Sequence, residues 1–452
     1  MAMPMSRKLV IGVCSLIFII ICELYALSLH FETRAKVFRA HFVVLVQVFL
    51  YLVSKFLWKN LSDFQPATIC SSASTANSSA REGDRRETPT RHWTAWKSVL
   101  LCYFGLCHCS YLTNLFLMGK DPHWFAMLTY CALGCYLQLA TALVILMMLN
   151  FGMCCITWRS GGGFSRTIFS KRSSAVLAIL YAVCAAFYGL TSAAQLPKVK
   201  NVSIPVKDLS NKWYGTHIVQ ISDIHLGPTV GYSKLSAIVD VINELNPDLV
   251  VITGDLVDGS VKTLSDAAAP LSRIKSAYGN FFVTGNHEYY TGDVDNWFVR
   301  LKELGFTSLH NSNVKLTPSG GATNDIICLA GTDDIDANKM AYTGHGFDAD
   351  RTLETCDPRK PVILLAHQPR AAKAALDSSY RVDLVLSGHT HGGQFFPMII
   401  GAYFINPFFA GLYSYGDHSH VYVSQGTQYW GIPMRLGSTM EITDITLHTA
   451  PS

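Results

Sequence analysis

The chain has 452 residues, of which 50% are hydrophobic and only 15% charged, with a formal net charge of +4. That balance leans toward a membrane protein, and so small and unclustered a positive charge argues against a nucleic-acid partner. The length exceeds one ordinary domain, and the average conceals two unlike halves.

Up to about residue 196 the sequence is dominated by apolar stretches at 9–29, 42–58, 98–118, 125–149 and 174–194. Each is near the roughly 20 residues that a helix needs to cross about 30 Å of hydrocarbon, so a multi-span α-helical membrane region of about five helices is expected over 1–196. The second stretch is shorter and carries Lys55 near its end, where a lysine can snorkel to the interface. The first follows Arg7 and Lys8 and has Ala26-Leu27-Ser28 near its end; a cleaved signal peptide is the rival reading, but the length favours an anchor. Glu23 inside it lies close to the far interface and reads as an interfacial acid.

Orientation follows from Lys and Arg in short loops. With a cytosolic N-terminus, one face collects Arg7, Lys8, Lys59, Arg81, Arg85, Arg86, Arg91, Lys97, Arg159, Arg166, Lys171 and Arg172, the other only Arg34, Lys36, Arg39, Lys120, Lys198 and Lys200. An odd number of spans then places everything after Ala194 in the lumen or outside the cell. The sequon at Asn201 suits that side, whereas those at Asn60 and Asn77 would lie unused in the cytosol. Between the second and third spans, within 59–97, residues 65–92 are rich in Ser, Thr, Ala and Arg and read as a disordered loop. Gly161-Gly162-Gly163 marks a second flexible loop, and 197–212 reads as a stem.

From Trp213 to the end at 452 the rhythm changes to short apolar runs alternating with helical patterns. Residues 217–222 run into Asp223, 248–253 into Gly254-Asp255, 280–284 into Gly285-Asn286-His287, 361–366 into His367 and 383–387 into Gly388-His389. The alternation predicts an α/β layered core with a largely parallel sheet component. Every motif sits where a strand stops, which is where ligands of such sheets gather.

The residue types point to metal. Asp223 and His225, two apart, project to the same face of a strand end. Asp255 follows a glycine and could bridge two cations through one carboxylate; Asn286 offers a neutral amide oxygen; His367, His389 and His391 add imidazoles. Taken singly, each is weak, because a histidine after a strand is commonly a hydrogen-bonded structural residue and Gly-Asp is a common turn. Together and in this order they form a donor set for two divalent cations, the device by which many phosphatases clamp and attack a phosphoryl group.

In this pattern, residues 213–448 resemble the calcineurin-like metallophosphoesterase superfamily, whose D-x-H, GD, GNH(E/D), lone H and GHxH motifs are all present. Its membrane-tethered bacterial-type branch is echoed by Gly426-Thr427, by Pro433-Met434-Arg435-Leu436-Gly437 and by Glu441-Ile442. The resemblance covers about half the chain and implies a four-layer αββα sandwich. It also implies that Asp223, His225, Asp255 and His391 hold one metal, while Asp255, Asn286, His367 and His389 hold the other. Mn, Fe or Zn would suit these donors. A metal-bridging hydroxide would attack the phosphoester, with His287 giving a hydrogen bond or proton to the leaving oxygen.

The expectation is a membrane-anchored, metal-dependent hydrolase of phosphoesters; a catalytically silent partner-binding domain and an auxiliary domain of a transporter or receptor are the alternatives. Nothing separates monoesters from diesters or indicates an oligomer. Asp333 and Asp334 read as caps before metal contacts. The aromatic tract Phe395, Phe396, Tyr403, Phe404, Phe408 and Phe409 reads as core, with a bilayer-docking surface, and so a lipid-linked substrate, as its alternative. Eleven of the 13 cysteines precede residue 185; Cys328 and Cys356 would pair in an oxidising lumen or stay free in a reducing cytosol.

Overall fold

The structure is a computed structural model that describes residues 25, 31–63, 95–160, 167–318, 320, 325–340 and 342–450. Apart from Tyr25, the expected first span lies outside the described residues, as do the 65–92 loop and the 161–163 glycines.

Among the described residues four long helices come first: α1 (Phe31–Leu61), α2 (Ala95–Thr113), α3 (Trp124–Arg159) and α4 (Lys171–Ala194). Among the described residues three helices are long and apolar enough to cross a membrane: Thr33–Leu61 within α1, α3 and α4. That is fewer than the five expected. The 98–118 run forms a 19-residue helix that stops at Thr113, where Asn114, Gly119 and Pro122 are poor continuations. Ala175, Ala178, Ala182, Ala186 and Gly189 are all buried along α4, and such small residues let helix backbones approach closely. The chain runs up and down. At one end Trp96 Nε1 donates to the Leu61 carbonyl (2.7 Å) and Lys171 pairs with Asp63 (3.5 Å). At the other, Arg34 donates to the Met340 carbonyl (2.9 Å), the Tyr232 N–H to Lys120 (2.7 Å) and Lys234 to Ala193 (2.9 Å).

The segment expected as a stem opens instead as a nine-residue strand, β1 (Lys198–Val206). Its apolar residues alternate, which buries Ile204 and Val206, and it pairs in parallel along its whole length with the last strand, β12 (Glu441–Thr449). Pro205 is tolerated because β1 is an edge. The α/β domain therefore follows α4 almost directly.

The domain contains two six-stranded sheets. The first runs β1, β12, β2 (His217–Ile221), β3 (Leu249–Thr253), β4 (Asn280–Val283), β5 (Phe306–Ser308). The second runs β10 (Gly411–Tyr415), β11 (Ser419–Val423), β9 (Leu384–Ser387), β8 (Val362–Leu365), β7 (Ile327–Gly331), β6 (Ser312–Leu316). Pairing is parallel except at β12–β2, β10–β11 and β6–β7. Alternate residues of each strand serve different layers. Ile218, Val251 and Phe281 meet Leu329, Ile363 and Leu386 between the sheets. Val250, Ile252 and Phe282 face Ile238 and Ile242 of α5 (Tyr232–Glu244) and Leu264 of α6 (Val261–Ala268). On the other side Leu364, Val385 and Val421 pack against Ala371, Ala372 and Ala375. Each such Val, Leu or Ile contributes about 1.5–3 kcal/mol by burial.

Strand direction sets where the site lies. β1 leaves α4 and runs away from the helices with β12; β2 is antiparallel to β12 and runs back, with β3 and β4 beside it. The carboxyl ends of β2, β3 and β4 therefore face the helical bundle.

Candidate metal centre

All seven candidate ligands converge at those strand ends. Asp223 and His225 follow β2, Asp255 follows β3, Asn286 opens α7 (Asn286–Thr291) after β4, His367 follows β8, and His389 and His391 follow β9. Six are buried and His389 is half-buried. Five of them have left-handed backbones: Asp223 (φ 55°), His225 (51°), Asp255 (52°), His389 (73°) and His391 (51°). Such conformations cost about 1–3 kcal/mol apiece and cluster where function over-determines the backbone. The motif glycines permit the turns. A Cβ on Gly254 would lie 2.6 Å from His367 Nδ1, and one on Gly285 or Gly388 would collide with the carboxylate of Asp255 or Asp223.

The donor atoms form two groups sharing Asp255. In the first, His391 Nε2 lies 3.0 Å from His225 Nε2 and 3.4 Å from Asp223 Oδ1, with His225 Nε2 3.8 Å from Asp255 Oδ2. In the second, His367 Nε2 lies 3.2 Å from Asp255 Oδ2, and His389 Nδ1 lies 2.9 Å from Asn286 Oδ1. Hydrogen bonds fix the tautomers. His367 Nδ1 donates to the Thr253 carbonyl (2.7 Å) and His225 Nδ1 meets Asp258 Oδ1 (2.9 Å), so both Nε2 atoms point lone pairs inward. His367 Nε2 is buried with no hydrogen-bond partner. Lone pairs facing carboxylate oxygens in a buried space are a fit for divalent cations.

Without metal the charges are mixed: Asp255 overcomes burial and holds His367 well above its usual value, favouring a second proton on Nε2 that a cation would displace. Burial, reinforced by His367, pushes His389 down to about 3, and burial with His225 holds His391 well below its usual value, so both are neutral donors. Burial opposes ionisation of Asp255, but His367 and His287 outweigh it and hold the carboxyl well below its usual range. Burial likewise disfavours a charged His287, yet Asp255 and Asp258 raise it to about 9.

Four further residues had weaker signals in the sequence. Asp258 Oδ1 accepts from both His225 and His287 (2.9 and 2.7 Å); its only signal was its place three residues after Asp255 in the same turn. Glu288, the last letter of Gly285-Asn286-His287-Glu288, ties two motif loops together by accepting from the N–H groups of Gly285 (2.6 Å), Asp255 (3.0 Å) and Leu256 (2.8 Å). Arg435 is fully buried and donates to the His391 carbonyl (2.5 Å). Trp430, which no motif marked, stands 5.4 Å from the His287 ring and 6.4 and 6.5 Å from Phe42 and Tyr111 of the bundle. Neighbouring Met434 inserts between α3 and α4 at Gly134 and Gly189, where a Cβ would collide with it, and the Arg435 N–H donates to the Gly189 carbonyl (3.0 Å).

Asp334 caps a helix, accepting from the Asp336 N–H (2.8 Å) ahead of α9 (Asp336–Met340), while Asp333 accepts from His310 (2.7 Å) and the Gly346 N–H (3.1 Å). The aromatic tract divides: Phe395 and Phe408 are buried, whereas Tyr403 and Phe404 are exposed.

Residues 216–393 match the calcineurin-like phosphoesterase family. Over nearly its full length the chain is similar to two proteins named transmembrane protein with metallophosphoesterase domain. The one from Danio rerio is 44% identical across 92% of this chain and 91% of that protein; the one from Bos taurus is 41% identical across 94% and 93%. A metallophosphoesterase of Helicobacter pylori is 37% identical across 56% of this chain and 64% of its own length. The helices α1 to α4, the strand-end donor set and these relatives agree that the chain belongs to the family of transmembrane proteins with a calcineurin-like metallophosphoesterase domain.

Proposed function

We propose that the chain is a multi-pass membrane enzyme that hydrolyses phosphoesters with two divalent cations, held by Asp223, His225, Asp255 and His391 on one side and by Asp255, Asn286, His367 and His389 on the other. The observation that carries this reading is the convergence of buried lone pairs, above all the unpartnered His367 Nε2 facing Asp255 at 3.2 Å. When bound, the cations would acidify a water for attack and neutralise charge on the phosphoryl oxygens.

The chain's own residues do the rest. Asp258 holds His225 and His287 in orientation through its Oδ1. His287, held by Asp258 and raised to about 9 in the metal-free site by Asp255 and Asp258 against its burial, would give its proton to the departing oxygen. Glu288 and Arg435 are positioning residues, fixing the Asp255 turn and the His391 carbonyl. Trp430 walls the site on the bundle side.

The same reading takes α2 and residues 9–29 as spans with α1, α3 and α4, and puts the α/β domain on the non-cytosolic side. Two observations support the orientation. Cys328 and Cys356 form a disulfide, as proteins in an oxidising compartment do. Lys59, Lys97, Arg159, Lys171 and Arg172 all sit at the bundle end away from the α/β domain.

The full chain, loaded with Mn or Zn, is expected to turn over aryl phosphate monoesters or diesters, and Asp255→Asn and His287→Ala to abolish or sharply reduce that turnover. Absent turnover, or turnover untouched by both substitutions, would sink the reading. Orientation is tested at the β10–β11 turn, where Gly416 has φ 58°, a conformation asparagine tolerates. Gly416→Asn with His418→Thr creates a sequon at the pole away from the bundle, expected to gain one glycan in microsomes; an unmodified product would place the domain in the cytosol.

A further inference from the structure

The helix that follows the last ligand pair has no place in a water-soluble domain. α12 (Met398–Ile405) reads Met-Ile-Ile-Gly-Ala-Tyr-Phe-Ile, with no charged residue and no buried one. Phe404 is 80% exposed, Ile405 66% and Tyr403 60%. A contiguous apolar patch of this kind marks a protein or membrane contact. The helix is joined to the metal centre by a short, constrained path. His391–Gly393 form one 3-10 turn, and Ile399 lies so close to Gly393 that a Cβ there would collide with it.

What covers α12 follows from its depth. Gln138 of α3 is fully buried and donates through Nε2 to the Phe396 carbonyl (2.8 Å), two residues ahead of the helix. Phe395 belongs to the apolar cluster of the bundle itself, with Leu133, Tyr136 and Leu139. The far face of the bundle is marked by Asn150, which exchanges hydrogen bonds with the backbone of Phe169 (2.9 and 3.0 Å) just ahead of the basic pair Lys171 and Arg172. From 138 to 150 is 12 residues, or about 18 Å of helix at 1.5 Å per residue. A hydrocarbon layer about 30 Å thick measured from that face extends past Gln138 and past the start of α12. If Arg159 at the end of α3 marks the boundary instead, the distance to Gln138 is about 32 Å, and α12 lies at the opposite interface. On the first measure its exposed side chains face acyl chains, and on the second the headgroup boundary.

We propose that α12 is inserted in the non-cytosolic leaflet and that the metal centre acts on phosphoesters carried by membrane lipids. The substrate assignment rests on the hydrolase reading above. A lipid phosphoester anchored by its acyl chains reaches a site at this depth without leaving the bilayer. Water oxygen adds to phosphorus, the P–O bond to the lipid alcohol breaks, and the alcohol oxygen leaves with a proton and stays in the membrane, while the phosphate moiety departs to water. Strand direction supports the geometry, because β2, β3 and β4 deliver the ligands on the bundle side.

The test uses the full chain in phosphatidylcholine nanodiscs with Mn. A photoreactive benzoylphenylalanine replaces Phe404 in one sample and Tyr214, exposed at the pole away from the bundle, in another. Position 404 is expected to cross-link phosphatidylcholine and position 214 not to. Equal labelling, or cross-linking of 404 to a second copy in place of lipid, overturns the insertion. Hydrolysis is then compared between aqueous 4-nitrophenyl phosphate and bis(4-nitrophenyl) phosphate and nanodisc-borne phosphatidic acid, phosphatidylinositol 4-phosphate and phosphatidylglycerol. Wild type is expected to hydrolyse a lipid ester, and Phe404→Ser with Ile405→Ser to lose that activity at least tenfold while keeping aryl ester turnover. Aryl ester turnover with no lipid ester hydrolysed, or equal loss of both activities in the double variant, overturns the substrate assignment and leaves the hydrolase reading standing. No turnover of any ester defeats the hydrolase reading itself.

Discussion

Two eight-residue helices each hang from a candidate ligand and could hardly differ more. α11 (Pro369–Leu376) follows His367, buries Ala371, Ala372 and Ala375 against the second sheet, and turns Arg370 and Lys373 outward. α12 follows His391, buries none of its residues and carries no charge. The first is a cover between sheet and water, amphipathic as such a cover must be. The second is apolar on both faces, with Ile399 and Ala402 half-buried against the domain and Tyr403, Phe404 and Ile405 exposed. In the account proposed above, the chemistry belongs to the strand ends that precede these helices, and location belongs to α12.

That division can be broken or sharpened by substitution. Asp255→Asn removes the carboxylate shared by both donor groups and is expected to lower kcat by at least about 10²- to 10³-fold, the order lost when a charge-stabilising group is removed from an active site. Retained turnover would mean that the strand ends do not carry the chemistry. His287→Ala is expected to lower kcat by about 10²- to 10⁴-fold with the metal content, read by plasma mass spectrometry, unchanged. A fall in metal content would recast His287 as a ligand. Asp258→Asn keeps the shape but weakens the brace on His225, and metal affinity should fall by about 10- to 100-fold in a chelator competition.

The helices themselves give the smaller effects. Ala372→Leu overpacks α11 against the sheet and should cost about 1–3 kcal/mol in thermal unfolding. Ile405→Ser should leave stability in detergent within about 0.5 kcal/mol, as at any side chain without a packing partner. A large loss at Ile405 would show α12 to be packed on protein after all.

Each candidate ligand was legible in the sequence because metal chemistry restricts residue type, and strand ends recur as apolar runs that stop at Gly-Asp, Gly-Asn or Gly-His. The layered α/β core was legible for the same reason: β3 and β8 read as continuous apolar runs because they are buried on both faces. The left-handed backbones at Asp223 and His389 were not, because strain is imposed by tertiary contacts and leaves no local pattern. β1 was hidden because Lys198, Lys200 and Pro205 look like linker residues, and its partner lies more than two hundred residues away in β12. Trp430 escaped notice, and Met434 was marked only as part of a motif, because their contacts are with helices that the family pattern does not contain. The aromatic tract was ambiguous by composition alone; the Gln138 contact that ties Phe396 to α3 leaves no pattern in the sequence.

The central claim, a site that works through two cations, is tested most directly by titrating Mn into the chelator-stripped full chain while following aryl phosphate turnover. Two tightly bound equivalents per chain are expected, with activity rising over the second and absent from Asp255→Asn. Saturation of activity after a single equivalent, or turnover that ignores metal altogether, would contradict the account.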